Sequence, residues 1–183
     1  MRCPGCPGIE LAVFELQANV AAQKCSACGG FWLSSLQFAN WIDSVQTSKP
    51  ASTTGTPTSA PTNDPKAAKI CPECGHVMTR YKVGHAMSFS LDRCGHCGGT
   101  WFDGGEWEVL KNSPLRDQVH LVFSPSWQSR VRRAEQTEQL LAQFAAKLGP
   151  VDFAETNKIK TWLENHPHRD AILAYLIAEK HRA

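Results

Sequence analysis

Residues 94–107 read CGHCGGTWFDGGEW, and residues 25–38 repeat the pattern as CSACGGFWLSSLQF. Each stretch begins with a C-x-x-C pair, continues through two glycines and reaches a tryptophan. A further C-x-x-C pair precedes each stretch, as CPGC at residues 3–6 and CPEC at residues 71–74. One unit therefore occurs twice, and this internal repeat organises the interpretation of the whole chain.

All eight cysteines belong to these pairs, spaced C-x2-C-x18-C-x2-C in the first unit and C-x2-C-x19-C-x2-C in the second. This spacing is typical of zinc sites. A C-x-x-C turn directs two thiolates and nearby backbone amides at one ion, and a hairpin brings a second turn opposite to close a four-thiolate site. We therefore predict two structural Zn²⁺ ions without an open coordination position. The predicted ligands are Cys3, Cys6, Cys25 and Cys28 for one ion and Cys71, Cys74, Cys94 and Cys97 for the other.

Other uses of the cysteines remain open at this point. Four thiolates can also hold iron, and a C-x-x-C pair can act as a redox dithiol. The matched pairs favour a metal over redox chemistry, and the spacing favours zinc over iron. His76, His85 and His96 occur only in the second unit. Because four cysteines already complete the coordination of an ion, we expect these histidines to be surface residues.

The pattern between the cysteine pairs predicts short strands, at residues 9–16 in the first unit and at 76–83 and 86–93 in the second. Each unit then turns helical. Residues 113–183 contain no cysteine and predict further helices, interrupted at Gly149 and Pro150. The predicted fold class is two small zinc-dependent β ribbons followed by an α-helical C-terminal region, α+β overall.

The composition divides the chain into four regions. These are zinc ribbon 1 at residues 1–45, a linker at 46–68, zinc ribbon 2 at 69–112 and a helical C-terminal domain at 113–183. The linker is rich in Ser, Thr, Pro and Ala, so it cannot offset its ordering entropy by burial. We predict a flexible tether and, as a consequence, two ribbons that move independently of one another.

Several residues at equivalent positions of the two units allow two interpretations. Trp32 and Trp101 are candidates for stacking on nucleic-acid bases or for packing in the core, and the scarcity of other large apolar residues favours the core. Asp103 and Glu106 suggest an acid–base pair. The first unit has Ser34 and Gln37 there, and both sets fit a helix capping box, so we predict a cap without catalysis.

Lys24 and Arg93 each precede the third cysteine of their unit. A four-thiolate zinc site carries excess negative charge, so these cations are candidates for balancing it. They fit exposed strand ends equally well.

CPECG at residues 71–75 and CGHCGGTWFDGGEWEVL at 94–110 resemble the bacterial TFIIB-type zinc-ribbon family. The stretch CSACGGFWLSSLQFANWI at 25–42 is similar but lacks the acidic residues. The resemblance covers residues 1–45 and 69–112 as two tandem copies. It implies structural zinc and, through the name of the family, a role linked to transcription.

The charges and the resemblance leave two classes of function. Carboxylates outnumber lysines and arginines by one in residues 1–46 and again in residues 71–112, whereas a phosphate-binding face needs clustered cations. The resemblance favours binding to nucleic acid or a transcription-related complex. The nearly neutral ribbons favour the alternative, a protein–protein adapter or an assembly or chaperone-like factor that uses the ribbons and the C-terminal helices.

An enzyme is not expected, because the sequence has no nucleophile–base pair, phosphate loop or open metal site. We therefore expect an unidentified protein or nucleic-acid partner and neither a membrane nor a small-molecule substrate. The N-terminus has no apolar segment behind a basic start, which predicts a cytoplasmic location.

Overall fold

The computed structural model describes residues 1–47, 67–84 and 87–178. The predicted flexible tether falls almost entirely on residues 48–66, and His85 and residues 179–183 also lie outside the described ranges. The chain divides into two compact units, Met1–Arg132 and Arg133–Ala183. Both cysteine repeats belong to the first unit.

The first unit is built on one six-stranded antiparallel sheet with the order β1-β2-β3-β6-β5-β4. Each cysteine repeat supplies three strands. The strands are β1 (Ala12–Gln17), β2 (Val20–Lys24), β3 (Phe31–Leu33), β4 (Thr79–Gly84), β5 (Met87–Arg93) and β6 (Thr100–Phe102). Together with the helices, this sheet confirms the predicted α+β class.

The two ribbons are joined in the middle of the sheet, where β3 pairs with β6. Trp32 lies opposite Trp101, and the register places Phe31 opposite Phe102 and Leu33 opposite Thr100. The pairing is therefore approximately two-fold symmetric about the tryptophans. The expectation that the ribbons move independently is wrong. Each ribbon alone would leave a three-residue strand at an open edge, and the pairing removes both edges at once.

The two faces of the central strands bury different cores. Because side chains alternate along a strand, Phe31 and Leu33 enter one cluster and Trp32 enters another. The larger cluster is covered by helical segments. They are α1 (Ser35–Thr47), α2 (Glu106–Lys111), a 3₁₀ helix (Arg116–Phe123) and the start of α3 (Pro125–Glu164). The smaller cluster contains the tryptophans and the cysteines.

The start of α3 also covers the edge strand β4. The Gln128 side chain accepts a hydrogen bond from the Lys82 amide at 3.3 Å and donates one to the Lys82 carbonyl at 2.9 Å. Trp127 Nε1 donates to the carbonyl oxygen of Val83 at 2.9 Å. These side chains take the place of a further strand, which is one way to protect a sheet edge from pairing with another chain.

The second unit contains the rest of α3 and α4 (Arg169–Ala178). Gly149 interrupts α3 with non-helical torsions, φ 74° and ψ 168°, immediately before Pro150. The break predicted at Gly149 and Pro150 is therefore present. Among the described residues, none of the helices combines the length and apolar composition needed to cross a membrane.

Candidate metal centres

The structure brings the cysteines together in two groups of four. Within each group the four Sγ atoms lie within 4.8 Å of one another. The Sγ–Sγ distances are 3.8 Å for Cys3–Cys28, 3.6 Å for Cys71–Cys97 and 3.4 Å for Cys74–Cys94. A disulfide would need about 2.05 Å. Four sulfurs around zinc, each about 2.3 Å from the ion, stand about 3.8 Å apart, so both groups fit a tetrahedral zinc ion.

Local backbone turns hold the sulfurs in place. Each C-x-x-C turn is called a knuckle here. In three of the four knuckles the glycine after the second cysteine has a positive φ, and its amide donates to the carbonyl of the first cysteine, as Gly29 does to Cys25 at 3.1 Å. In the first knuckle Pro7 occupies this position and has neither the amide hydrogen nor access to positive φ. The turn is one residue longer there. Gly8 takes the positive φ, and Ile9 donates to the carbonyl of Cys6 at 3.3 Å.

The third cysteine of each group has a distinct electrostatic environment. Burial raises the pKa of Cys25 and of Cys94, but amides of the same knuckle donate to both sulfurs, and the pKa of each falls to about 7. For Cys3 burial prevails and raises the pKa to about 11. The predicted backbone amides therefore donate to the sulfurs of Cys25 and Cys94. A bound cation would stabilise the thiolates of the other cysteines.

A tryptophan from the other ribbon packs against a glycine beside each group of four cysteines. A Cβ atom on Gly99 would lie 2.1 Å from Cζ2 of Trp32, and one on Gly30 would lie 2.6 Å from Cζ2 of Trp101. Both tryptophans are buried, with 1 % and 0 % of their surface exposed. The core interpretation of the tryptophans is confirmed, and stacking on a nucleic-acid base is excluded in this structure. The paired glycines after each C-x-x-C give these rings their space.

The indole hydrogens of the two tryptophans have different partners. Trp32 Nε1 donates to Oε2 of Glu73, in the first knuckle of ribbon 2, at 3.0 Å. Gly5 occupies the equivalent position of ribbon 1 and offers no side-chain acceptor. Trp101 Nε1 instead donates to Oδ1 of Asp103 in its own ribbon, at 2.8 Å. Ribbon 1 therefore depends on a side chain of ribbon 2 for this bond.

Ribbon 2 contains a buried ionic cluster that sequence reasoning missed. Lys69 Nζ donates to Oδ2 of Asp92 at 2.5 Å and to Oδ2 of Asp103 at 2.7 Å, and all three residues are buried. Burial lowers the pKa of Lys69, but the two carboxylates outweigh it and raise the pKa overall. Comparing the repeats could have revealed the cluster, because ribbon 1 has Met1 and Gln23 where ribbon 2 has Lys69 and Asp92.

Glu106 extends this cluster. Its side chain is fully buried, and Oε2 accepts a hydrogen bond from the Asp103 amide at 2.8 Å. No partner for Oε1 is found among the described residues. Burial, with a smaller contribution from the charge of Asp103, raises the pKa of Glu106 to about 8. The carboxyl group is therefore protonated at neutral pH.

The predicted capping boxes are each half formed. In ribbon 2 the Glu106 side chain reaches back to the Asp103 amide, but Asp103 itself binds Lys69 and Trp101, and Gly105 is the N-cap of α2. In ribbon 1 Ser34 Oγ accepts from the Gln37 amide at 3.4 Å, whereas Gln37 Oε1 accepts from the Ala21 amide at 3.1 Å. The cap explanation of Asp103 is wrong, because ion pairing in a buried site outcompetes it.

The cations that precede the third cysteines lie over aromatic rings. The Arg93 guanidinium lies 4.4 Å from the ring centroid of Phe123 and 5.5 Å from that of Phe38. Lys24 Nζ lies 4.5 Å from the ring centroid of Phe14. Cation–π contact was not anticipated for either residue. Arg93 is half-buried against Phe38 and Phe123, so it is not an exposed strand end.

The histidines of ribbon 2 lie beside the knuckles. His76 and His96 are exposed and stack with their ring centroids 4.1 Å apart. His76 Nδ1 lies 3.2 Å from the carbonyl oxygen of Cys74. This placement agrees with the expectation of surface residues, while His85 lies outside the described ranges.

Comparison with known families adds one match. The model of the TFIIB-type zinc-ribbon family, described as transcription factor zinc-finger, matches residues 2–44 and 70–113. Neither the curated proteins nor the solved structures include a match to the chain. The two matched segments coincide with the two repeats, each containing one group of four cysteines.

Proposed function

We propose that this chain, which carries two tandem TFIIB-type zinc ribbons, is a non-enzymatic adapter that binds a protein of a transcription-related complex. The residues that would hold the two zinc ions are the two groups of four cysteines described above. Zinc would supply structural cross-links, because a site closed by four thiolates has no position for a substrate. The family description supports the link to transcription.

One observation carries the choice of a protein partner over nucleic acid. Within the ribbons, four aromatic and cationic side chains suited to bases and phosphates are used inside the fold. Trp32 and Trp101 are buried, Lys69 is neutralised by two carboxylates, and Arg93 lies on aromatic rings. Nucleic-acid binding needs accessible cations and stacking surfaces, so these contacts weigh against it.

The surface of the ribbons offers apolar anchors instead. Ile70 and Val77 pair across the first knuckle of ribbon 2 and expose 49 % and 64 % of their surface. Ribbon 1 has Arg2 and Glu10 at the equivalent bridge. An exposed apolar pair on a rigid, metal-held turn suits contact with a protein, because interface anchors gain from being held in place.

Catalysis has little support in the same unit. Glu106 has the raised pKa expected of a proton-transfer group, yet its side chain has no exposed surface. A general acid or base must come within hydrogen-bond reach of its substrate. We therefore interpret the Lys69 and Glu106 cluster as structural and the protein as a binding module.

The test combines affinity capture with one matched variant. Ile70→Arg with Val77→Glu introduces the charged pair of ribbon 1 into ribbon 2. We expect the zinc-loaded wild-type chain to retain transcription proteins after nuclease treatment and the variant to lose them, with zinc content and thermal midpoint unchanged. Fluorescence anisotropy with random DNA and RNA should show no binding at low salt. Affinity that falls steeply with salt, or capture lost on nuclease treatment, would overturn the proposal.

A further inference from the structure

The described residues of the second compact unit form no buried core of their own. None of the described residues between 133 and 178 is buried. Isolated helices are marginal in water, and most helical stability in proteins comes from packing an apolar face. Large apolar side chains of this unit remain 37–73 % exposed. They are Leu140, Leu141, Phe144, Leu148, Val151, Ile159, Trp162, Tyr175, Leu176 and Ile177.

Two features of the unit form an apolar surface. The two halves of α3 line a groove with a volume of about 310 Å³, whose walls include Leu141, Phe144 and Phe153. The helix α4 reads RDAILAYLIA and is apolar on almost every side. A helix that is hydrophobic all round is normally buried. An apolar cavity of about 150 Å³ holds a benzene-sized group, so the groove has room for roughly two side chains of that size.

We propose that a second copy of this chain covers this surface, so that the protein dimerises through its C-terminal helices. The exposed area is sufficient. Half-exposed side chains of this size each present roughly 100 Å², and together they match the ~800 Å² that each partner buries in a standard interface. Two-fold dimers are the commonest oligomers, and they bring the same surface of both copies together.

Charge supports a copy of the chain over other occupants. Between residues 133 and 178, acidic side chains outnumber lysines and arginines by only one. Lys158 pairs with Glu155 at 2.7 Å within the same helix. A polyanion or an anionic membrane would require an excess of cations. A nearly neutral apolar surface can meet its own copy without repulsion. This inference is independent of the proposed adapter function.

Sedimentation velocity of the zinc-loaded full chain tests the proposal. We expect a dimer at micromolar concentration for the wild type and a monomer for Leu140→Glu with Phe144→Glu. Both side chains are exposed in the single chain, so the variant should keep its zinc content and its ribbon structure. Val13→Glu is the control for an added surface glutamate, because it places one at a 76 % exposed apolar residue of ribbon 1. A monomeric wild type, or a variant that stays dimeric, would overturn the proposal.

Trp162 provides a second readout in the same samples. Of the six tryptophans, all within the described ranges, the other five are at most 3 % exposed and Trp162 is 57 % exposed. Iodide quenching therefore reports mainly on the helical unit. We expect quenching to fall as the wild-type concentration rises and to stay high in the Leu140→Glu, Phe144→Glu variant. A monomer whose Trp162 is protected only by neutral lipid vesicles would identify a lipid surface and contradict dimerisation.

Discussion

The two ribbons share their metal groups but differ in what surrounds them. Ribbon 2 buries an ionic cluster on the positions that ribbon 1 fills with neutral side chains. The buried set of ribbon 2 is Lys69, Asp92 and Asp103 with the protonated Glu106, and the corresponding residues of ribbon 1 are Met1, Gln23, Ser34 and Gln37. The ribbon architecture therefore requires the cysteines, the knuckle turns and the tryptophan–glycine contacts, whereas the ionic cluster is a feature of one copy.

The dependence between the ribbons is also unequal. Each tryptophan packs on a glycine of the other ribbon, but Trp32 donates its indole hydrogen bond to Glu73 of ribbon 2, while Trp101 donates within its own ribbon. Ribbon 1 thus relies on ribbon 2 for packing and for a polar contact. Substitutions in ribbon 2 should therefore also lower the stability of ribbon 1.

The largest effect is expected from Cys94→Ser, which removes one ligand of the ribbon 2 metal. Structural zinc contributes on the order of 10 kcal/mol to the folding of its site. Because β3 pairs with β6 and Trp32 lies on Gly99, we expect ribbon 1 to lose zinc affinity as well. Competition with a chelator, followed by metal analysis, measures both sites. A variant that releases one zinc and keeps the other at wild-type affinity would show that the ribbons are independent.

A smaller effect is expected from Lys69→Met, which gives ribbon 2 the residue of ribbon 1. Asp92 and Asp103 then lose the cation that they share, and removing one partner of a buried ion pair costs about 3–5 kcal/mol. Urea unfolding of the zinc-loaded protein measures the change in the free energy of unfolding. Adding Asp92→Asn and Asp103→Asn should restore much of it. If Lys69→Met is as stable as the wild type, Lys69 does not stabilise the fold by pairing with the buried carboxylates.

Glu106→Gln tests the raised pKa of Glu106. Ribbon 1 already has a glutamine, Gln37, at the equivalent position. The carboxyl group is protonated up to pH 8 in the folded chain but only up to about pH 4.5 in the unfolded chain. Wild-type stability therefore falls as pH rises between these values and levels off above pH 8. Each pH unit costs about 1.4 kcal/mol, or about 2–3 kcal/mol from pH 6 to 8.

Glu106→Gln has no proton to lose, so its unfolding free energy should be nearly flat over that pH range. Denaturant unfolding at several pH values makes the comparison, and working above pH 6 limits protonation of the zinc thiolates. Parallel pH dependence in both proteins would mean that Glu106 is not the titrating group.

The smallest effect is expected from Glu73→Ala, which removes the acceptor of Trp32 Nε1. Losing the partner of a buried donor costs about 1–2 kcal/mol. Glu108→Ala is the matched control, because Glu108 is exposed and pairs with Lys111 on the surface. Thermal unfolding compares the two variants. Equal midpoints would show that the bond between the ribbons contributes little.

The cysteine spacing was sufficient to predict two four-sulfur groups, and the hydrophobic pattern was sufficient to predict an α+β fold, because both depend on local sequence. The shared sheet could not be predicted in the same way. It depends on pairing between two three-residue strands that are 69 residues apart at Phe31 and Thr100. The helical break at Gly149 was predictable, since the glycine and the following proline act locally.

The ionic cluster escaped prediction for a different reason. Charged residues are normally exposed, so Lys69 and Asp92 carried no indication of burial when each was considered alone. Asp103 and Glu106 also matched a capping pattern that is defined by spacing and not by tertiary contacts. Only the folded sheet brings Lys69 to Asp92 and Asp103.

Hydrogen exchange of the backbone amides in β3 and β6 tests the fusion of the two ribbons most directly. In the zinc-loaded native chain, residues Phe31–Leu33 and Thr100–Phe102 lie at the centre of one sheet. We predict that the hydrogen-bonded amides among them exchange only through global unfolding and are among the slowest in the protein. Exchange within seconds, as expected for exposed edge strands of two separate ribbons, would contradict the structure described here.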